Sequence, residues 1–116
     1  MNANEKVAIA NRYIKAISEG DAETIIAMYA DDATMVDPVG TQPRVGIDAI
    51  RALYEQAATM DMNLVSTGPA CPADGSVAFP FKMSVPAFGL ESDVIDVFEF
   101  NDEGKISSMK AYWSKP

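Results

Sequence analysis

The sequence predicts an α+β domain in which three helices come first and a largely antiparallel sheet follows to cover them. Two patterns carry this expectation. Apolar residues in the first half recur every three or four positions, whereas the second half breaks into short runs rich in β-branched and aromatic residues, separated by Pro, Gly and Asp-Gly. The chain of 116 residues shows no repeat, low-complexity tract or linker, so one domain over 1–116, with one core and one pocket, is expected.

From Asn4 to Glu19, Val7, Ala10, Ile14 and Ile17 recur at helical spacing with Tyr13 beside the stripe, giving an amphipathic helix that ends at Gly20. Asp21 suits the N-cap of a short second helix whose Ile25, Met28 and Tyr29 share a face before Ala30-Asp31-Asp32 breaks it. A strand from Ala33 to Asp37 comes next. Pro38, Gly40 and Pro43 mark an irregular loop, and Ile50, Leu53, Tyr54 and Ala57 define a third helix reaching about Thr59. The runs MNLVSTGP, SVAFPFKMSV, ESDVIDVFEFN and GKISSMKAYWS then read as a four-stranded antiparallel meander. Its tightest hairpin is expected at Asn101-Asp102-Glu103-Gly104, while Pro80 implies an edge, a bulge or a missing ladder bond.

Composition excludes several kinds of chemistry. Seventeen acidic against nine basic residues give a net charge of −8, which repels nucleic acid and anionic lipid and favours a neutral, weakly polar small molecule. No apolar run approaches the ~18 residues of a bilayer span, and MNANEKVAIANRY lacks the form of a signal peptide, so a cytoplasmic protein is expected. With no histidine there is no Ser-His-Asp or Cys-His nucleophile and no His-ligated metal site, and acid–base work falls to Asp, Glu, Tyr or Lys. Neither a GxGxxG nor a GxxxxGK fingerprint is present. The single Cys71 forms no intrachain disulfide and reads as an inert residue near a strand end.

A few residues fit a plain core poorly. Strand alternation puts Asp96 on one face with Val94, Phe98 and Phe100. If that face is buried, keeping the proton is the cheaper response, and the carboxyl becomes a hydrogen-bond donor; a wet sheet edge or a basic partner is the alternative. Asp37 ends a strand-like run on the side of Met35, with Pro38 favouring extended backbone, which aims it into a pocket or makes it an ordinary turn starter. Tyr13, Tyr29 and Tyr54 lie on apolar helix faces, where a core hydroxyl usually finds a partner. The stripes Phe79, Phe81, Met83 and Met109, Ala111, Trp113 either line a flat apolar cavity or pack a core.

The segments RYIKAISEGDAETIIAMYADDATMVDPVG, IDAIRALYEQ, DVIDVFEF and GKISSMKAYW together resemble the bacterial steroid delta-isomerases, or ketosteroid isomerases. These belong to the cone-shaped α+β superfamily shared with nuclear transport factor two (NTF2-like, SnoaL-like). The resemblance covers nearly the whole chain, and its specific part is the conjunction of Tyr in RY, Asp in DPVG and Asp in VID. It implies three helices packed on a curved, mixed, mainly antiparallel sheet around an apolar pocket. It further implies Tyr13 as oxyanion donor, Asp37 as general base and Asp96 as the second donor, the neutral buried acid being a known feature of this enzyme class. Tyr29 and Tyr54 match a supporting hydrogen-bond network, with Tyr54 donating toward Tyr13. Phe79, Phe81, Met83, Met109 and Trp113 match steroid-contacting walls. Val36 departs from the family pattern, standing where many relatives carry an acidic residue.

The implied reaction moves the double bond of a Δ5-3-ketosteroid into conjugation through a dienolate, with no cofactor or metal, in a homodimer formed through the convex face of the sheet. A polyketide cyclase, an epoxide hydrolase or a non-catalytic binding module are the competing expectations. Epoxide hydrolysis of the limonene type needs an Asp-Arg-Asp set, and Arg12, Arg44 and Arg51 are not obviously placed inward.

Overall fold

Asn2 opens the first helix by accepting a hydrogen bond from the Glu5 amide while the Glu5 carboxylate accepts from the Asn2 amide, a reciprocal cap that satisfies two otherwise free donors. In the computed structural model, which describes residues 1–115, this helix, α1, spans Ala3–Glu19. It closes at Gly20 in the left-handed conformation (φ 69°). Its buried stripe is Ala10, Tyr13, Ala16 and Ile17, and the two alanines let the helix approach the sheet closely.

Asp21 caps α2 as expected, but α2 is only Ala22–Ile26. The chain is already extended at Tyr29, so β1 covers Tyr29–Val36 and Tyr29 lies on a strand, not on a helix face. Sheet pairing overrides local helical preference here: Tyr29 is in register with Ile106, and the Ile106 amide donates to the Met28 carbonyl at 2.8 Å. A two-residue strand, β2 (Arg44–Val45), follows, and α3 spans Ile47–Ala57, starting and ending earlier than its apolar spacing indicated.

The second half gives β3 (Asn63–Ser66), β4 (Cys71–Ala73), β5 (Ser76–Val85), β6 (Leu90–Phe100) and β7 (Ile106–Trp113). The four expected strands form the antiparallel meander β3-β5-β6-β7, and β1 adds to β7 in parallel, so the sheet is mixed, in the order β2-β1-β7-β6-β5-β3. β4 was not foreseen. It pairs with β5 through a two-residue turn, Asp74-Gly75, a tighter hairpin than the one at Asn101–Gly104, and it carries Cys71 exposed. Pro80 faces the gap between β3 and β4 on the edge of β5, where only its carbonyl is used, accepting from the Thr67 amide.

The three helices cover one face of this sheet, and the register there positions the site. Met35, Met109, Phe98 and Val77 form one cross-strand row. In the next row Ala111 faces Asp96, which faces Phe79, and the Val39 amide donates to the Ala111 carbonyl, so Asp37 continues β1 level with Ala111. Two carboxyl groups thus enter one inner row with a single small alanine between them. Among the described residues no helix is long and apolar enough to cross a membrane.

Gly20 packs where α1 meets the end of α3. A Cβ there would lie 3.2 Å from the Ala58 carbonyl oxygen on a left-handed backbone. Gly20→Ala is therefore expected to lower unfolding stability by about 1–2 kcal/mol in urea titrations. An unchanged midpoint would mean that this junction relaxes freely.

Candidate active site

The row that begins at Asp37 borders a mostly apolar cavity between the helices and the sheet. Its wall takes Tyr13 and Ile17 from α1, Leu53, Tyr54 and Ala57 from α3, Asp37 from the end of β1, and Val94, Asp96 and Trp113 from β6 and β7. Met62, Leu64, Phe81 and Met83 complete it. Apart from two tyrosines, two aspartates and the Trp113 indole, the lining is hydrocarbon or thioether.

Tyr13 projects from the buried stripe of α1 and is held edge-on by Phe98 (ring centroids 5.1 Å), Phe79 (5.8 Å) and Tyr54 (6.0 Å). The hydroxyls of Tyr29, Tyr54 and Tyr13 form a buried chain, 2.6 Å from Tyr29 to Tyr54 and 3.2 Å from Tyr54 to Tyr13. When Tyr13 gives its proton to an acceptor in the cavity, the chain has one consistent polarity: Tyr29 donates to Tyr54 and Tyr54 donates to Tyr13. Burial raises all three hydroxyls well above the usual tyrosine range, so they remain donors at neutral pH.

Asp96 is 1% exposed in the middle of β6, settling the question left by alternation in favour of the buried face. Burial, then repulsion from Asp37, push its pKa well above the usual carboxyl range, and the Tyr13 hydroxyl only partly offsets them. Among the described residues Asp96 has no basic partner in an ion pair. The shift favours the protonated form, in which the carboxyl is a hydrogen-bond donor.

Asp37 sits half-buried at the rim. Burial raises its pKa to about 6, while hydrogen bonding from Trp113 and the charge of Arg44 hold it down. At neutral pH it is mostly ionised and basic. The two carboxyls thus sit in different environments, one central in the sheet and the other at a strand end near a cation. Oδ1 of each is buried with no hydrogen-bond partner. Leaving such an atom unsatisfied costs ~1–3 kcal/mol, a cost that a ligand placed between them would relieve.

Phe81, Met83 and Trp113 line the cavity as expected, but Phe79 and Met109 do not. Phe79 packs behind Tyr13 and against Phe98 at 5.0 Å, and Met109 lies one row deeper, beside Phe98. Tyr29 stands behind Tyr54, away from the wall. Sequence reasoning missed Ile17, Leu53, Ala57, Met62, Leu64 and Val94. Ile17 is one helical turn from Tyr13, and Val94 one strand repeat from Asp96, so periodicity counted outward from those residues would have found both. Arg51 pairs with Glu23 at 2.7 Å, and Arg44 is exposed, donating to the Ala49 carbonyl. Arg12 is exposed as well, so none of the three arginines is part of the wall.

Residues 10–109 match the SnoaL-like domain. The chain belongs to the SnoaL-like family. It is 36% identical to the steroid delta-isomerase of Nocardioides simplex, across 98% of this chain and 93% of that protein. It is also 30% identical to the epoxide hydrolase LasB of Streptomyces lasalocidi, across 90% of this chain but 40% of that longer protein. Among solved structures, the epoxide hydrolase/cyclase-like enzyme SalBIII, studied for pyran ring formation in the polyether salinomycin, superposes with a TM-score of 0.85 at 26% identity, covering 97% and 93% of the two chains. The superposition extends over nearly all of the mixed sheet and the helices packed on it, and both named sequence relatives are enzymes.

Because the folded Asp96 holds a proton that the unfolded chain releases above about pH 4, stability falls as pH rises from there toward the folded-state pKa. Asp96→Asn cannot titrate. It is expected to raise the melting temperature by several degrees at pH 8 and by much less at pH 4.5. A loss of stability at pH 8 would show that Asp96 is ionised and stabilised in the fold.

Proposed function

We propose that the protein is a steroid delta-isomerase that converts Δ5-3-ketosteroids to their conjugated Δ4 isomers without a cofactor. The observation that carries this reading is one apolar cavity holding an ionised carboxylate, Asp37, and two protonated donors, Tyr13 and Asp96. Asp37 removes the proton at C4 and returns it at C6. Tyr13 and Asp96 hydrogen-bond the C3 oxygen as it gains charge, and a neutral Asp96 adds no negative charge beside the dienolate. The Tyr29–Tyr54 chain keeps the Tyr13 proton directed at the cavity. Exclusion of water strengthens each of these contacts. The 36% identity to a steroid delta-isomerase supports the substrate class.

The similarity to epoxide hydrolases gives a second reading weight. The same pair can open an epoxide, with Asp96 transferring its proton to the ring oxygen while Asp37 deprotonates the attacking hydroxyl or water. The readings differ in what Asp96 does: donate a hydrogen bond, or surrender the proton.

We also propose a cytoplasmic homodimer formed through the outer face of the sheet. There Ile95 and Tyr112 lie in register, 48% and 46% exposed. Sedimentation equilibrium is expected to give a dimer and Ile95→Lys a monomer.

The deciding assay follows conjugated-enone absorbance on mixing with a Δ5-3-ketosteroid. Asp37→Asn is expected to lose about 10²–10⁴-fold in kcat. Asp96→Leu should lose about 10²–10³-fold and Asp96→Asn far less, since an amide still donates. With Asp37 as base, kcat/KM falls below about pH 6, tenfold per pH unit, as the carboxylate is protonated. No conversion by the unaltered protein sinks the reading; epoxide opening abolished equally by Asp96→Asn and Asp96→Leu would establish the second.

A further inference from the structure

We infer that Met62 sets the length of hydrocarbon the pocket accepts, as the side chain that closes the rim away from the carboxyl row. This rests on the reading that an apolar ligand lies in the cavity with its oxygen at Tyr13 and Asp96.

The polar groups of the cavity are confined to one region. Asp37 follows β1, whereas Met62 precedes β3, and the order β1-β7-β6-β5-β3 puts four strand spacings between them, about 19 Å along an uncurved sheet. Leu64 and Met83 face each other in register on the inner face, and Met62, two residues before Leu64, continues that face outward. Of the lining side chains, Leu53, Ala57, Met62 and Trp113 are partly exposed along with Asp37, and these mark the mouth. Leu53 and Ala57 belong to a helix and Trp113 to a strand.

Apart from Asp37, Met62 alone among them stands outside a helix or strand, in the connection 58–62 between α3 and β3, and that connection is anchored at both ends by α1. On one side the Ala58 carbonyl packs against Gly20 closely enough that a Cβ would reach 3.2 Å. On the other the Leu64 amide donates to Ser18 Oγ at 3.1 Å, and the same hydroxyl approaches the Leu64 carbonyl at 3.3 Å. Between these anchors Asp61 adopts φ 50°, the one left-handed non-glycine residue among those described, and Met62 follows with its side chain in the cavity wall. The backbone is fixed while the side chain is an unbranched thioether with several free torsions, the kind of group that adapts to the end of an apolar ligand. No polar side chain in this part of the wall fixes the far end of a ligand, so its discrimination is by length.

The test uses saturated 3-ketosteroids carrying hydrogen, an ethyl or an octyl chain at C17, which have no double bond to move. Trp113 is the single tryptophan and lies in the wall, so its fluorescence reports occupancy without catalysis. Relative to the unaltered protein, Met62→Ala is expected to shift the octyl-to-ethyl affinity ratio by about tenfold toward octyl, Met62→Phe to shift it the other way, and Met62→Leu to leave it in place. Ratios that are the same in all four proteins overturn the inference, as does the absence of any fluorescence response to the three steroids. A length effect of the expected sign in a protein that fails to isomerise a Δ5-3-ketosteroid upholds the role of Met62 and removes the isomerase reading alone.

Discussion

The architecture of the site turns on taking two carboxyl groups out of water to different extents. An ionised carboxylate without a close partner is costly in an apolar interior, and the protein has two solutions within one cross-strand row. Asp96, flanked by Phe79 and Ala111 in the body of the sheet, is pushed by burial toward its protonated form. Asp37, where β1 gives way to the loop, stays close enough to Trp113 and Arg44 to remain a base near neutrality. Position along a strand therefore sets how deeply each carboxyl is buried, with the small Ala111 between them in the row.

The aromatic cluster follows from the same constraint. A cavity that is to strengthen hydrogen bonds must be dry, and a dry cavity needs its own donors to be satisfied from behind. Phe98 and Phe79 enclose the Tyr13 ring, and the hydroxyl chain through Tyr54 to Tyr29 ends in the core, so the polar groups have one free direction each. Helices α1 and α3 contribute one hydroxyl each, and the small residues Ala10 and Ala16 bring α1 close enough to the sheet for Tyr13 to stand above Phe98.

Much of this was legible in the sequence because it rests on periodicity. The inward face of β6 was readable from Val94, Asp96 and Phe98, and the α1 stripe from Ala10, Ile14 and Ile17. What escaped was governed by contacts distant in sequence. Tyr29 has helical neighbours but is drawn into β1 by pairing with Ile106, 77 positions further along. The short strands β2 and β4 carry too few residues for an alternating pattern. Phe79 and Met109 share faces with genuine wall residues, and periodicity tells which side of a sheet a residue faces but not how far along it the cavity extends. That Asp37 and Asp96 share a row depends on the parallel register of β1 with β7, which no local signal encodes.

That register also has a bearing on assembly. The strand that lies between those of Asp37 and Asp96, β7, is the last of the described strands along the chain yet lies inside the sheet, with β1 on one side and β6 on the other. During synthesis the helices and β1 emerge long before the strand they must pack around, and β1 has no partner along its inner edge until residues 106–113 have left the ribosome. The contacts that define the pocket are therefore among those of longest sequence separation, which places folding toward the slow end for a domain of this size and leaves a nascent apolar face in need of shielding.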